Sequence, residues 1–148
     1  MSVHKTTLPR QVCFCRRYEC EDVSDAANKL RDTYIDAAHT GKMSMIERMF
    51  TMRMSPLTEK MDIMCCIPVE ESFVGDERVE FPEAPALCIY YRGAYEGTGT
   101  AIRALLQYVK ENNIEIGGPF RSIFMEGPPN RGENKDDYIT QIAVPIKE

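Results

Sequence analysis

Sulfur dominates the side chains of this chain that could bind or react. Seven of its nine methionines fall between Met43 and Met64 (Met43, Met45, Met49, Met52, Met54, Met61 and Met64). Flexible thioethers line apolar surfaces that repack around different shapes, and they also fill ordinary cores. Six cysteines, Cys13, Cys15, Cys20, Cys65, Cys66 and Cys88, sit inside apolar runs, where a thiol behaves as a small hydrophobe. Their C-x-C and C-C spacings lack the paired CxxC of a structural zinc site. His4 and His39 lie far from each other and from any cysteine cluster, so neither a metal nor a cofactor is expected. Nucleophile and phosphate motifs are missing as well: there is no G-x-S-x-G, HExxH, Walker-type glycine loop or GxGxxG. What remains is a set of tyrosines and carboxylates around LCIYYRGAYE (residues 87–96).

That stretch is an apolar, strand-like run that stops at Arg92-Gly93 and launches an amphipathic segment, Thr98 to Asn113, packing through Ile102, Leu105, Leu106 and Val109. The same plan appears earlier. Residues 3–9 read as a short edge strand ending at Pro9, and residues 10–19 as a longer strand. Asp22 or Ser24 caps a helix whose stripe is Ala27, Leu30, Tyr34 and Ala37, stopped by Thr40-Gly41. Two strands follow, 49–54 and 61–69, separated by the turn signal Ser55-Pro56. In the second half, a short strand at 79–81 precedes Pro82. The strand 86–92, the helix, and strands 120–126 and 138–146 follow, the last two flanking a polar loop, 127–137.

Laid over each other, the halves match in order. Cys13 falls on Cys88, Phe14 on Ile89, Arg17 on Arg92, Ala26 on Ala101 and Leu30 on Leu105, with no gap between strand and helix. Ile67-Pro68-Val69 falls on Val144-Pro145-Ile146, and Met61 on Tyr138. The expected fold is α+β within a single domain, 1–148. Two pseudo-symmetric strand–helix–strand–strand repeats, about 3–76 and 77–148, form an antiparallel sheet with both helices on one face. A ligand groove is expected at the repeat seam, where two elements meet without interlocking.

Composition narrows the class. With 43% hydrophobic and 28% charged residues the chain is globular, and its net charge of -5 disfavours a phosphate-binding surface. No signal-peptide pattern opens the sequence and no apolar run approaches the roughly 20 residues of a membrane helix. A cytoplasmic protein is expected, with no membrane partner and no direct contact to DNA.

From YRGAYE through the helix to the closing DYITQIAVPIKE, the chain resembles the GyrI-like small-molecule-binding domain. That family includes the effector domains of MerR-type multidrug regulators and of Rob-type AraC regulators, and its fold is the SHS2 duplication. The resemblance implies binding of hydrophobic, often cationic, planar compounds. No helix-turn-helix precedes residue 1, so the expectation is a stand-alone sensing or sequestering domain. Two alternatives come with the family. One is hydrolysis of reactive small-molecule toxins in the same pocket; the other is a protein-binding role with DNA gyrase or a regulator as partner.

The resemblance also implies a site. A flat cation is held by rings to stack on, a carboxylate and adaptable walls. The family pattern puts Tyr91 on the groove side, with Gly93 and Tyr95 shaping the lip of the turn and Tyr138 opening the last strand against the ligand. The acid of the family pattern falls on Met125. Its neighbour Glu126 points to the other face by strand alternation, unless a bulge near Gly127 turns it inward. Met52, Met54 and Met61 are expected near the groove because their repeat partners are Phe124, Glu126 and Tyr138. For hydrolysis, Glu126 would act as base on water with Tyr138 as donor.

Overall fold

The computed structural model describes residues 2–148. In chain order the elements are β1 (His4–Leu8), β2 (Gln11–Cys20), α1 (Val23–His39), β3 (Phe50–Arg53), β4 (Met61–Pro68) and β5 (Arg78–Phe81). They continue with β6 (Ala84–Arg92), a 3₁₀ turn (Tyr95–Gly97), α2 (Thr98–Glu111), β7 (Arg121–Glu126), the single turn α3 (Pro128–Arg131), a second 3₁₀ turn (Lys135–Asp137) and β8 (Ile139–Pro145). The fold is α+β with antiparallel strands, as the repeat implied.

Two compact units form: Pro9–Glu83, here the first unit, and Ala84–Glu148 with the chain up to Leu8, here the second. The first has strand order β3-β4-β2-β5 with α1 packed on β2 and β4; the second has β7-β8-β6-β1 with α2 packed on β6 and β8. Each repeat therefore contributes its opening short strand to the other unit. The links responsible are alike: Pro9-Arg10 follows β1 and Pro82-Glu83 follows β5. Proline fixes φ and offers no amide to a ladder, and each short strand pairs elsewhere, β1 with β6 and β5 with β2.

The pairing registers correct the alignment read from sequence. Cys15 pairs with Cys66, and Cys88 with Ala143. With Pro68 and Pro145 held equivalent, Cys15 thus corresponds to Cys88, and Tyr18 to Tyr91. The gap-free overlay had paired Cys13 with Cys88, two residues away, because it carried the helix register back into the strand. The second unit has two extra residues in the turn between β6 and α2. A one-residue slip also occurs between β3 and β7: Met52 pairs with Met64 and Ile123 with Gln141, so Ile123, not Phe124, is the counterpart of Met52.

The helices start by different means. The Asp22 carboxylate accepts from the Asp25 amide at 2.8 Å, and the Asp25 carboxylate accepts from the Glu21 amide at 3.0 Å, a reciprocal cap. At α2 the N-cap is Gly97, without a side-chain cap. The buried stripe of α1 runs through Leu30, Thr33 and Ala37, while Ala27 and Tyr34 are exposed. The expected stripe was rotated because it counted only apolar types: Thr33 is buried, with its hydroxyl donating to the Lys29 carbonyl at 2.7 Å. In α2, Ala101, Ile102, Leu105 and Val109 are buried and Leu106 is 38% exposed, so Leu106 does not belong to the packed face.

Candidate functional site

Direct cross-strand partners share a face of a sheet, which divides each unit into a helix face and a far face. In the second unit Leu87, Ile89, Tyr91, Thr140, Ile142, Val144 and Phe124 lie on one face. Tyr91 locates the helix on that side. A Cβ on Gly97, at the head of α2, would stand 1.9 Å from the Tyr91 hydroxyl. That hydroxyl donates to the Ala94 carbonyl at 2.9 Å, so the ring folds back onto its own turn. Gly93 permits this with φ 139, a conformation that suits glycine, and its amide donates to the Tyr138 carbonyl at 2.9 Å.

The other expected aromatics gather on the same side. Tyr95 stacks edge-on to Phe124 with centroids 5.3 Å apart and lies 5.2 Å from the Tyr138 ring. Tyr138 is only 4% exposed and donates its hydroxyl to the Gly132 carbonyl, fastening the polar loop. Burial, and then the neighbouring Tyr138, push the Tyr95 phenol up to about 12. These rings are packed on one another and on the turn. The expectation that Tyr91 faces away from the helix is therefore corrected: its partner Thr140 is fully buried, and its own ring covers Gly97.

Across the sheet lies a different surface. Leu8, Ala86, Cys88 and Ala143 form a buried cluster with Ile123 packed against it. Beyond this apolar floor stands Tyr90, 49% exposed, with the Gln141 amide donating to its hydroxyl at 3.4 Å and His4 6.3 Å from its ring. Arg92 follows, paired with Asp137. Glu126 joins this face because the ladder is irregular: Phe124 pairs with Thr140, but Glu126 pairs with Ile139, leaving Met125 as the extra residue of a bulge. Simple alternation would have placed Glu126 beside Phe124. The bulge carries it to the face of Ile139, Gln141 and Tyr90, where its carboxylate is 4.0 Å from Arg131.

The expected methionines belong to the first unit and do not share one surface. Met52 is buried opposite Met64; Met54 follows on the same face and its amide donates to the Asp62 carbonyl at 2.7 Å. Met61 pairs with Cys20, on the other face. That face carries the helix: Tyr18 shares a hydrogen bond of 3.2 Å with Thr33, and Arg16 pairs with Asp36 of α1. Sequence reasoning gave Tyr91 rather than Tyr90 the groove side and passed over Gln141, Ile123 and Ile139. The signal was available in parity, since Tyr90 shares the face of Cys88 and Ala86 while Tyr91 continues Leu87 and Ile89.

A shallow, open depression of about 660 Å³ runs along α2, with Leu106, Val109, Ile114, Arg103 and Lys110 among its lining residues. It touches none of the expected site residues. Among the described residues no group of three or more His, Cys, Asp or Glu could hold a metal ion, and no helix is long and apolar enough to cross a membrane.

An antiparallel α+β duplication with an apolar, acid-bearing far face has the build of a small-molecule-binding domain. The chain belongs to the GyrI-like small molecule binding domain family, whose model matches residues 12–147. It is similar to the EcmrR C-terminal domain, with TM-score 0.86 and 18% identity over 99% of this chain and 98% of that one. SAV2435, solved bound to tetraphenylphosphonium, gives TM-score 0.64 at 15% identity, covering 99% of this chain and 94% of that one. A hydrolase from Listeria innocua gives TM-score 0.65 at 11% identity, covering 98% and 91%. At these identities the likenesses describe the fold. No curated protein sequence matches the chain.

Proposed function

We propose that this domain binds hydrophobic, aromatic small molecules against the far face of its second unit, cationic ones included, and so senses or sequesters them. One observation carries the reading: the bulge at Met125 sets Glu126 on the face of Ile139, Gln141 and Tyr90 rather than behind it. Ile123 and Ile139 supply apolar contact, Tyr90 a ring to stack on, and Glu126 the charge that favours a cation. The 4.0 Å contact to Arg131 at the end of α3 is long for an ion pair and screened by solvent, so a cation competes for the carboxylate. Tyr91, Tyr95, Phe124 and Tyr138 stiffen the turn and loop beside the face, and Gly93 shapes that turn.

Tetraphenylphosphonium, the compound held by SAV2435, and neutral triphenylphosphine oxide make the test. Calorimetric titration is expected to show binding of both and preference for the cation. Glu126→Gln should weaken the cation by about ten- to hundredfold, the value of one charged contact, and leave the neutral compound unchanged. Heat from neither compound, or equal loss for both, would overturn the reading. The same acid could act as base on water in the hydrolysis of a reactive toxin, the reading that the Listeria innocua hydrolase fold keeps alongside binding. Consumption of compound by mass spectrometry, abolished by Glu126→Gln, would establish it.

A further inference from the structure

Two thiols on the far face of the first unit stand directly across from each other. Cys15 of β2 pairs with Cys66 of β4. Antiparallel partners alternate between wide, hydrogen-bonded pairs and narrow pairs without such bonds, and the local bonds decide which this is. The Cys15 amide donates to the Glu77 carbonyl at 2.8 Å, away from β4, whereas the Val69 amide donates to the Val12 carbonyl at 2.9 Å. Val12 and Val69 are thus a bonded pair, and Cys15 and Cys66, three steps further along the ladder, are a narrow one. Narrow pairs hold their Cα atoms about 4.5 Å apart, inside the range of about 4.4–6.8 Å that a disulfide spans. In the second unit the corresponding pair is Cys88 and Ala143, so only one repeat carries both sulfurs.

We propose that Cys15 and Cys66 form a reversible cross-strand disulfide when the protein meets a peroxide. In the first step a thiol attacks the peroxide, the O–O bond breaks, and the sulfur becomes a sulfenic acid as one water leaves. In the second, the other thiol attacks that sulfur, the S–S bond forms, and the sulfenic oxygen departs as a second water. The protein loses two protons and two electrons, and hydrogen peroxide ends as two waters. Cys15 takes the first step, being 7% exposed against 0% for Cys66. Burial holds the Cys66 thiol well above its ordinary value, so closure of the bond, which needs its thiolate, is the slower of the two steps. The cross-link joins the two central strands of the first unit on the face that carries Met52 and Met64.

Peptide mapping of the full chain after hydrogen peroxide, with alkylation in denaturant, reads the outcome directly. The expected result is an intramolecular Cys15–Cys66 linked peptide, two hydrogens lighter than the dithiol and restored by dithiothreitol. Cys88→Ala should leave this link intact, and Cys66→Ala should abolish it and leave Cys15 as a trappable sulfenic acid. Because the wild-type map decides on its own, poor folding of a variant does not obscure the result. Oxidation of isolated thiols without a link, a link that leaves Cys66 alkylatable, or a link between two molecules would overturn the proposal.

Discussion

The far faces of the two units show one frame carrying two chemistries. In the first, Arg17 and Asp62 meet in a fork of two hydrogen bonds, 2.9 and 2.7 Å. In the second, the corresponding positions are Tyr90 and Ile139, opposite Gln141 and Arg92. Within the strands, an acid enters through the bulge that brings Glu126 opposite Ile139. The first unit therefore holds its carboxylate closed against a guanidinium, and that guanidinium keeps the Asp62 carboxyl below its usual range. The second sets its carboxylate on the face of Tyr90, Ile123 and Ile139, 4.0 Å from Arg131. The two units share their strands; one extra residue at Met125 and a tyrosine where the first unit has an arginine make their far faces differ.

The largest effect expected from breaking this symmetry lies in the helices. Leu30 and Leu105 occupy equivalent places, but Leu105 is wholly buried while Leu30 is 8% exposed. Leu105→Ala should cost about 4 kcal/mol and Leu30→Ala about 2 kcal/mol, since the penalty grows with the cavity left behind. Urea denaturation measures both. Equal losses would mean that the two helices are seated alike.

The helix starts come next. Gly97→Ala drives a methyl into the Tyr91 hydroxyl and ring and should cost about 1–3 kcal/mol as overpacking. Asp22→Ala removes the α1 cap and should cost about 1 kcal/mol. Combining Gly97→Ala with Tyr91→Ala tests the cause: the pair should cost less than the sum of the two changes, because the clash is gone. Strict additivity would show that Tyr91 does not rest on this turn.

How far the sequence carried this picture depends on which signals were periodic. The strands and both long helices fell where alternation and helical spacing put them, and Leu30 matched Leu105 as a buried counterpart. The strand register did not survive. The pairs Leu8-Pro9 and Phe81-Pro82 carry the correct two-residue shift, but those short strands sit in exchanged units, and only pairing reveals the exchange. Tyr91 was placed on the wrong side because a pattern of types, Y-x-G-x-Y-E, does not state which of two adjacent tyrosines faces the helix. The bulge is the opposite case. It was conceived from the chain as the one device that would turn Glu126, yet no residue type between Phe124 and Gly127 demands it, so the ladder had to decide.

Alkaline titration gives a smaller, sharper contrast. Tyr95 lies in the turn that holds the second unit's two extra residues, and its phenol is pushed up to about 12 against an ordinary value near 10. The folded state thus holds the proton longer than the unfolded state. The stability this provides is complete below pH 10 and is lost as pH rises from there toward 12. Tyr95→Phe should flatten that decline in denaturation curves between pH 9 and 12, after any loss at neutral pH has been subtracted. A variant that loses stability as steeply as wild type would place the alkaline transition elsewhere.

The smallest expected change falls on the first unit's carboxylate, and it matters because it isolates what Glu126 does. Asp62→Asn breaks the fork to Arg17 at a solvent-exposed pair, where ion pairs contribute little and salt screens them. Its lowered carboxyl adds stability above the ordinary carboxylate range, lost as pH falls through its folded value. The variant should therefore lose slightly at neutral pH and low salt and match wild type in acid. Tetraphenylphosphonium affinity should stay within twofold of wild type, whereas Glu126→Gln lowers it by about ten- to hundredfold. If Asp62→Asn weakens the cation as much as Glu126→Gln, then net acidity draws the ligand, and the bulge at Met125 confers no site of its own.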